Sequence, residues 1–425
     1  MPLLLISFVV LLLLGVPIAY ALGISGLTYF YFIHPELVSI LPQRILAGMN
    51  SYPMIAMPLF ILMGLLMNEG GITKRLINFS LIIVGKLRGG LGLVNVLASM
   101  IFGGISGSSV ADTASVGAVL IPEMKEEGYP LEFSSGITVA SSTMGMIIPP
   151  SVPMVIYALV AEESVGRLFL ASLIPGIMIG LIMLVVTIVI SYSESYPREE
   201  QNLTLRDILI RIRQSFFAII MPVFVIGVVV LGIATATESA GMGVLYAFVL
   251  GMFFFKGISL KKIPELMKKA IRTSANVMII IALSELYRWI LAIERVPELL
   301  AVFIGGLNLP VWIILIIVNL VILATGTFVD VSPAILLLAP VLLPAMAVLG
   351  VSSVQFGVLL IAGLAVGLVT PPVGMCLNVA SAISGLSITR IFRSAVPFLL
   401  ANLITLLAIS FIPQITLWLP RLLMR

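Results

Sequence analysis

The stretch GGISGSSVADTASVG, residues 103–117, decides the fold, because it interrupts an otherwise apolar run from Leu91 to Leu120. A straight membrane helix would not place so many small and polar residues at its centre, whereas a re-entrant hairpin with its tip near Ser106–Ser109 would. Irregular backbone at membrane depth is tolerated only where protein or a water-filled cavity covers it. We therefore predict a helical hairpin over about residues 91–120.

The composition of the whole chain places this hairpin in a membrane. Of the 425 residues, 60% are hydrophobic and only 10% are charged, and the mean hydropathy is +1.23. Soluble domains carry about 25% charged residues, so this chain cannot build a soluble surface. A net charge of +4 does not favour nucleic-acid binding, and a single cysteine, Cys376, cannot form an intramolecular disulfide. The sequence predicts an all-α polytopic membrane protein.

The two halves of the chain carry the same breaks in one register. Pro149–Pro150 and Pro371–Pro372 lie 222 residues apart (371 − 149). The same offset relates further glycines and prolines, namely Gly104 with Gly326, Pro122 with Pro344, Gly128 with Gly350, Gly145 with Gly367 and Pro175 with Pro397. Repeated breaks at one spacing indicate a duplicated unit, so we predict two repeats, each with a hairpin and a broken helix.

The predicted boundaries follow from this register. The first repeat covers residues 1–192 and the second covers residues 216–425, with a hydrophilic linker over residues 193–215 between them. The other interrupted elements are a broken helix over about 130–162, a hairpin over about 309–347 and a broken helix over about 354–384. We also expect one retained span over Met1–Phe32, and a basic amphipathic stretch, Lys256–Arg272, before a separate span over Ala275–Ile293.

The distribution of charge predicts that the repeats are inverted. Cytoplasmic flanks of membrane helices carry an excess of Lys and Arg. Pro35–Asn50 contains one such base, Arg44, whereas the segment at the same offset, Gly257–Arg272, contains five. The two segments therefore belong on opposite sides, with the first hairpin opening to the cytoplasm and the second to the outside. Inverted repeats with discontinuous helices are typical of secondary transporters.

The hairpin tips and the helix breaks supply groups that bind small ions. Exposed N–H groups at helix N-termini attract anions, while carbonyl and hydroxyl oxygens coordinate hard cations such as sodium. The Pro–Pro loops free carbonyls, because proline cannot continue the hydrogen-bond ladder. The tips offer the hydroxyls of Ser106, Ser108, Ser109, Thr325 and Thr327. Both tips are therefore candidate cation sites.

Several candidate residues have a second interpretation. Small and hydroxyl residues also serve close helix packing in membranes. Asp112 and Asp330 are candidates for ligand binding because they lie in apolar runs, and equally for capping of helix N-termini. Glu285 and Arg288, three residues apart, are expected to pair with each other. Cys376 is expected to be a packing residue, since a metal site needs several ligands.

Four motifs, in order along the chain, resemble a known family. They are GGISGSSVADTASVGAVLIPEM, SSTMGMIIPPSVPMVIYA, GTFVDVSPAILLLAPVLLPA and GLVTPPVGMCLNVASAI. Together they resemble the large membrane (DctM-like) subunit of TRAP transporters, the tripartite ATP-independent periplasmic transporters, over essentially the whole chain. The resemblance implies an inverted-repeat elevator-type transporter with two re-entrant helical hairpins and two broken helices. It implies sodium-coupled uptake of an organic acid across the bacterial inner membrane, and no enzymatic activity.

The resemblance also implies where ligands bind. One sodium site is expected between the first tip and its broken helix, and another between the second tip and its broken helix. The expected sodium-binding residues are Ser106, Gly107, Ser108, Ser109, Gly145, Pro149, Thr325, Gly326, Thr327, Val369, Pro371 and Gly374. The substrate is expected between the tips, at Ser141, Ser142, Thr143, Asn378, Asp112 and Asp330. No organic cofactor is expected.

Two protein partners follow from the same resemblance. One is a small four-helix (DctQ-like) membrane subunit, expected as a separate polypeptide because the chain starts with the large subunit's first span. The other is a periplasmic binding protein that delivers the substrate. Membrane lipid is the surrounding medium, and no nucleic acid is expected. A stand-alone sodium-coupled anion transporter, a membrane-embedded enzyme and a passive channel are the alternatives, although the sequence lacks H-E-x-x-H and any His/Cys cluster.

Overall fold

A computed structural model describes residues 1–50, 52–198, 204–306 and 309–424 of the chain. These residues form 21 α-helices, and the only β-structure among them is an isolated bridge between Arg88 and Arg198. Seven helices in the described part are long and apolar enough to cross a membrane, or up to nine if each of two bent pairs is one span. The prediction of an all-α polytopic membrane protein is confirmed.

The first half of the chain contains eleven helices. They are α1 (Pro2–Leu13), α2 (Ile18–Ile33), α3 (Leu41–Met49), α4 (Ala56–Glu69), α5 (Ile72–Val84), α6 (Gly90–Ser106), α7 (Ser109–Glu126), α8 (Leu131–Ser142), α9 (Met144–Ile147), α10 (Val152–Ala161) and α11 (Val165–Ser193). α4 and α5 meet at a bend of 68°.

The second half contains ten helices in its described residues. They are α12 (Leu205–Val230), α13 (Ala236–Val249), α14 (Ile263–Ile293), α15 (Val296–Gly306), α16 (Val311–Phe328), α17 (Val331–Val348), α18 (Ser353–Gly367), α19 (Met375–Ser384), α20 (Ile388–Phe411) and α21 (Gln414–Leu423). A π-helical turn, Leu250–Phe254, follows α13 directly.

The prediction of one span over Met1–Phe32 is wrong. α1 ends at Leu13, Gly15 adopts a φ of +78°, and Pro17 stands immediately before α2. Proline has no N–H to continue a helix ladder, and glycine adopts a positive φ without steric cost, so the chain turns between the two helices. The two helices pack against each other instead of forming one tilted span.

Part of the predicted linker over residues 193–215 is helical. α12 already begins at Leu205, after a capping box. In that box the Thr204 hydroxyl accepts from the Asp207 N–H at 3.2 Å, and the Asp207 carboxylate accepts from the Thr204 N–H at 3.1 Å. Residues 199–203 of the predicted linker lie outside the described residues.

The predicted separation between the basic stretch Lys256–Arg272 and the next span is also wrong. α14 runs without a break through 31 residues, from Ile263 to Ile293, so the last three bases of the stretch, Lys268, Lys269 and Arg272, belong to the same helix that continues into the apolar region. The residues around position 272 include no proline or glycine to end a helix, which is why the helix continues.

Helices turn or break close to some of the paired glycines and to both Pro–Pro pairs, whereas Pro122, Pro175, Pro344 and Pro397 lie inside continuous helices. α6 and α7 are joined by residues 107–108, and α16 and α17 by residues 329–330. α10 bends by 41° from α8 and α9 after a break at residues 148–151, and residues 368–374 separate α18 from α19. The assignment of these elements to two inverted repeats stays a prediction.

Each hairpin packs closely, backbone against backbone, on its neighbouring broken helix. A Cβ added to Gly103 would lie 3.0 Å from the Met144 carbonyl oxygen and 3.1 Å from the Gly145 Cα. A Cβ added to Gly367 would lie 2.5 Å from the Gly326 Cα. Glycine is therefore needed at both contacts, because any side chain would separate the hairpin from the helix that precedes the break.

We expect Gly367→Ala to destabilise the protein. The new methyl group would overlap the backbone of Gly326, and overpacking of this kind costs about 1–3 kcal/mol. The measurement is thermal unfolding of the purified chain in detergent, followed by tryptophan fluorescence.

Gly241→Ala in α13 is the matched control, because an added Cβ there meets nothing within 4 Å. In a helix this control change is expected to be neutral or slightly stabilising. Equal unfolding temperatures for the two variants would show that the contact at Gly367 tolerates a side chain.

Candidate functional site

A cavity of about 290 Å³ lies between the two hairpin tips. The first tip contributes Ser106 and Ser108, and the second tip contributes Asp330 and Ser332. α4 and α14 complete the lining, with residues that include Asn68 and Thr273. We call this space the tip cavity. It combines residues from both halves of the chain.

Three helix N-termini border the tip cavity. Ser108 is the N-cap of α7, Val152 begins α10 and Val331 begins α17, and all three line the cavity. Each helix N-terminus carries a partial positive charge and unpaired N–H groups. The described lining includes no Lys, Arg or His. The positive potential of the cavity therefore comes from helix ends and not from basic side chains.

Asp330 lies at one of these N-termini. Its Oδ1 accepts a hydrogen bond from the Val331 N–H at 2.8 Å, and the residue lines the tip cavity. Asp330 therefore caps α17, as one interpretation of the sequence expected, and it also lines the space between the tips, while ligand binding by Asp330 stays a prediction. Its negative charge offsets part of the positive potential of the helix ends.

The first tip lies directly against the first break. Gly107 has a φ of +61°, and a Cβ added there would lie 3.1 Å from the Val152 N and 3.2 Å from the Pro150 carbonyl oxygen. A Cβ on Gly145 would lie 3.1 Å from the Ser108 carbonyl oxygen. The Ser106 hydroxyl donates to that same carbonyl at 3.3 Å. The structure thus gathers Ser106, Gly107, Ser108 and Gly145, with carbonyl and hydroxyl oxygens among them.

Two further residues predicted for the first sodium site lie at the same contact. Ser109 is fully buried at the start of α7, and its hydroxyl has no hydrogen-bond partner among the described residues. The Pro149 carbonyl oxygen lies 2.9 Å from the position of a Cβ on Gly104, one turn before the tip. Both oxygens are thus placed at the junction of tip and break.

The second tip resembles the first tip in its backbone packing but differs from it in the hydrogen bonds of its hydroxyl groups. A Cβ on Gly326 would lie 2.9 Å from the Leu364 carbonyl oxygen, so the tip contacts the end of α18. The Thr325 hydroxyl donates to the Val321 carbonyl at 2.8 Å, and the Thr327 hydroxyl donates to the Ala324 carbonyl at 2.8 Å. A hydroxyl that donates keeps oxygen lone pairs with which it can coordinate a cation.

The other residues predicted at the second site lie in the segment between α18 and α19. Val369 and Pro371 are within this break, and Gly374 ends it with a φ of +51°. Asn378, predicted for the substrate, lies on α19, and its amide donates to the Val373 carbonyl at 2.8 Å. None of these four residues is in the lining of the tip cavity.

The polar residues at the end of α8 do not line the tip cavity either. Ser141, Ser142 and Thr143 are fully buried. The Ser141 hydroxyl lies 3.1 Å from the Ser99 hydroxyl of α6, and the Thr143 hydroxyl donates to the Asn402 side-chain oxygen of α20 at 3.0 Å. These contacts tie α8 to its neighbours, and a role for the three residues in substrate binding stays a prediction.

Asp112 is also buried away from the cavity. It lies in the first turn of α7, fully buried and beside Ser99, whereas its neighbour Ala111 lines the cavity. Because Ser108 is the N-cap of α7 and Asp112 follows it by one turn, Asp112 is not the cap that one interpretation of the sequence expected.

Four polar cavity residues were missed by reasoning from the sequence, namely Asn68 on α4, Ser115 on α7, Thr273 on α14 and Ser332 on α17. The sequence around Asn68 did indicate a residue that faces a cavity. Asn68 follows an apolar run that ends at Met67, and polar side chains in membrane helices often face a cavity. Thr273 directly follows the basic stretch and gave no comparable signal.

The model of the DctM component of tripartite ATP-independent periplasmic transporters matches residues 5–415. The chain belongs to this family. It is 35% identical over 400 residues to the C4-dicarboxylate TRAP transporter large permease protein DctM of Pseudomonas aeruginosa, covering 94% of this chain and 93% of that protein. It is 34% identical to the sialic acid TRAP transporter large permease protein SiaM of Vibrio cholerae, with 97% and 96% coverage.

The fold is similar to that of a solved transporter. The YdaH transporter of Alcanivorax borkumensis matches with a TM-score of 0.63 and 14% sequence identity, over 88% of this chain and 87% of that one. The family and the apolar helices together make this DctM-family chain a multi-pass inner-membrane permease subunit, and not an enzyme.

The geometry of the tip cavity can be checked by thiol labelling. In a Cys376→Ala background, which removes the single cysteine, Ser115→Cys should react with a water-soluble thiol reagent because Ser115 lines the cavity. Ser141→Cys, at a fully buried position, should react about tenfold more slowly or not at all, since reactivity follows exposure. Equal labelling of both variants would contradict the described orientation of α7 and α8.

Proposed function

We propose that this DctM-family subunit carries an organic carboxylate across the inner membrane, driven by an inward sodium gradient. The tip cavity supports the proposal, because three helix N-termini meet there in a space that both halves of the chain enclose. Anions bind at helix N-termini in many proteins, and transporters with broken helices use such ends at the substrate site.

The charge balance of the cavity supports a role for sodium. Each helix N-terminus contributes only about half a unit of positive charge, and Asp330, when ionised, contributes a full negative charge at the same place. A carboxylate substrate would meet this carboxylate without any basic side chain in the described lining. Bound cations would remove the repulsion, so that sodium binding favours substrate binding.

The sodium ions are proposed to bind where each tip contacts its break. The first site would use oxygens of Ser106, Ser108, Ser109 and Pro149 beside Gly107 and Gly145. The second site would use Thr325, Gly326 and Thr327 on the tip, and Val369, Pro371 and Gly374 on the break. The close backbone contacts at Gly145 and Gly367 support this placement, because they hold carbonyl oxygens from two elements near each other.

The lining of the cavity also supports an elevator mechanism. One group of lining residues belongs to α6, α7, α10 and α17, which carry the tips and the break, and the other group belongs to α4 and α14. We propose that the first group moves across the membrane with the substrate, while α4 and α14 stay in place as part of a scaffold. A cavity at the boundary between the two groups would then open to each side in turn.

The substrate class and the partners are proposed from the relatives. The two permeases described above are named for C4-dicarboxylate and for sialic acid, which are both carboxylates. The family is described as one component of a tripartite periplasmic transporter, so we propose a small four-helix DctQ-like subunit and a periplasmic binding protein as partners. The family match does not favour a stand-alone anion transporter.

The proposal predicts the requirements of uptake. Proteoliposomes that contain the chain and its small subunit should accumulate a labelled organic acid only when an inward sodium gradient and the binding protein are both present. Replacement of the sodium gradient by an equal potassium gradient is the control for osmotic and electrical effects. Undiminished accumulation without sodium, or without the binding protein, would refute the corresponding part of the proposal.

A single substitution tests the second sodium site. Thr325→Leu replaces a hydroxyl at the tip by an apolar branched side chain, so sodium-dependent uptake should fall to background. Loss of one coordinating group of this kind costs about 1–3 kcal/mol, that is, at least a several-fold loss of affinity.

Thr28→Leu in α2 is the matched control for this substitution. The Thr28 hydroxyl donates to the carbonyl of Ile24, four residues before it, at 2.8 Å, as the Thr325 hydroxyl does to Val321. Thr28 lies on α2, which contributes to neither tip and neither break, so Thr28→Leu should transport normally. Normal sodium dependence in Thr325→Leu would count against coordination at this tip.

A further inference from the structure

A second and larger cavity lies at the surface, where α5, α12 and the π-helical turn after α13 meet. Its volume of about 1190 Å³ exceeds the roughly 300–1,000 Å³ of typical small-molecule pockets. Three bases line it, Lys74, Arg75 and Arg213, together with the rings of Phe216, Phe254 and Phe255. No Asp or Glu occurs among the described lining residues. We call this space the basic cavity.

The walls of the basic cavity are fixed by specific contacts. The Arg75 Nη1 donates to the Gly71 carbonyl at 2.9 Å, and its Cζ lies 3.9 Å from the centre of the Phe255 ring. The Ser215 hydroxyl donates to the Arg75 carbonyl at 2.8 Å, which ties α12 to α5. A Cβ on Gly257 would lie 2.8 Å from the Gly70 carbonyl oxygen, so the chain after the π-helical turn packs directly on the end of α4.

The bases that line the basic cavity lack carboxylate partners. Lys74 and Arg213 are exposed, and no salt bridge in the described part of the chain includes either of them. Arg75, the third base in the lining, donates to the Gly70 and Gly71 carbonyls and has no carboxylate partner among the described salt bridges either. A cleft lined by charges of one sign raises the local concentration of counter-ions, so these three bases favour the binding of an anion.

The apolar part of the lining faces the surrounding membrane. Phe216 and Phe254 are 52% and 61% exposed, and Leu209 and Ile210, which also line the cavity, are exposed too. A soluble anion such as free phosphate would use the bases and leave these rings uncovered. A ligand with a charged head and hydrocarbon chains would cover both parts of the lining.

The side of the membrane on which the basic cavity lies is consistent with a ligand that has a charged head and hydrocarbon chains. Lys262, beside the basic first turns of α14, forms an ion pair with Glu69 at the end of α4. The basic cavity therefore lies on the same side as the most basic flank of the chain, which is the cytoplasmic side by the excess of Lys and Arg. Basic pockets between membrane helices on that side are typical sites for anionic lipid headgroups.

We propose that the basic cavity binds one anionic phospholipid, with its phosphate among Lys74, Arg75 and Arg213 and its acyl chains over the phenylalanine rings. α5 belongs to the first half of the chain and α12 to the second half. The bound headgroup therefore holds the two halves together next to the segment that connects them. The proposal does not depend on the transported substrate or on sodium.

The test uses the full chain, purified in a neutral detergent and titrated with dioctanoyl phosphatidylglycerol or dioctanoyl phosphatidylcholine. Binding is measured by native mass spectrometry, and stability by thermal unfolding. Phosphatidylglycerol should bind more tightly and raise the unfolding temperature. Lys74→Gln combined with Arg213→Gln should weaken its binding by about 25-fold, since each base at an anionic lipid contributes a factor of about five.

Lys261→Gln combined with Lys268→Gln is the matched control. It removes the same charge from exposed positions on the same side, outside the cavity lining, and should keep wild-type affinity. If the first double variant does not fold, Gln214→Glu adds a negative charge at an exposed lining position and should weaken phosphatidylglycerol binding alone.

Three outcomes would overturn the proposal. The first is equal affinity of the wild-type chain for the two lipids, and the second is an equal loss in the test and control double variants. The third is a Lys74→Gln/Arg213→Gln variant that keeps its phosphatidylglycerol affinity but no longer co-purifies with the small subunit. That last result would make the basic cavity a protein-docking surface.

Discussion

Every break in a membrane helix leaves backbone N–H and C=O groups that the hydrocarbon cannot satisfy, and the rest of this structure depends on how they are covered. The chain covers them with its own backbone, through glycine contacts at Gly103 with Gly145 and at Gly326 with Gly367. Because these contacts leave no room for a side chain, they also fix the position of each tip relative to its break. The contacts therefore hold the helix ends of the tips and of the first break beside the tip cavity.

A site built from helix ends differs in its energetics from one built with arginine. A helix N-terminus offers about half a charge that is fixed in place, and it needs no side-chain entropy to hold it there. An arginine would bind a carboxylate more strongly, by a bidentate contact. A carrier must release its cargo as well as bind it, so weak fixed charges supplemented by a removable cation suit transport. In the proposed mechanism Asp330 would strengthen the dependence on a cation, since it places a carboxylate in the lining.

The sequence was sufficient for the family, the all-helical membrane fold and the positions of the main breaks, because glycine and proline act locally on the backbone. The same rule applied at Gly15 and Pro17 would have divided the first span, and the Thr204–Asp207 capping box would have located the start of α12. Both signals are local. The first lies within a long apolar run and the second within a hydrophilic stretch, and these surroundings made the helix boundaries hard to recognise in the sequence. The continuity of α14 also had a local signal, the lack of proline and glycine around residue 272, but the change from basic to apolar residues suggested a boundary there.

In the candidate site, the features that depend on local sequence were predictable, and those that depend on tertiary packing were not. Helix ends were predictable, because their N–H and cap groups point along the helix axis whatever the rotation of the helix. Helix faces were not, because tertiary packing sets the rotation. Ser115 and Thr113 are two residues apart on α7, yet Ser115 lines the tip cavity and Thr113 is fully buried. Ser141 lies at a suitable position before the first break, but the rotation of α8 directs it to α6. Sequence position therefore indicates depth in the membrane, and only the packed structure shows which side chains at that depth reach the cavity.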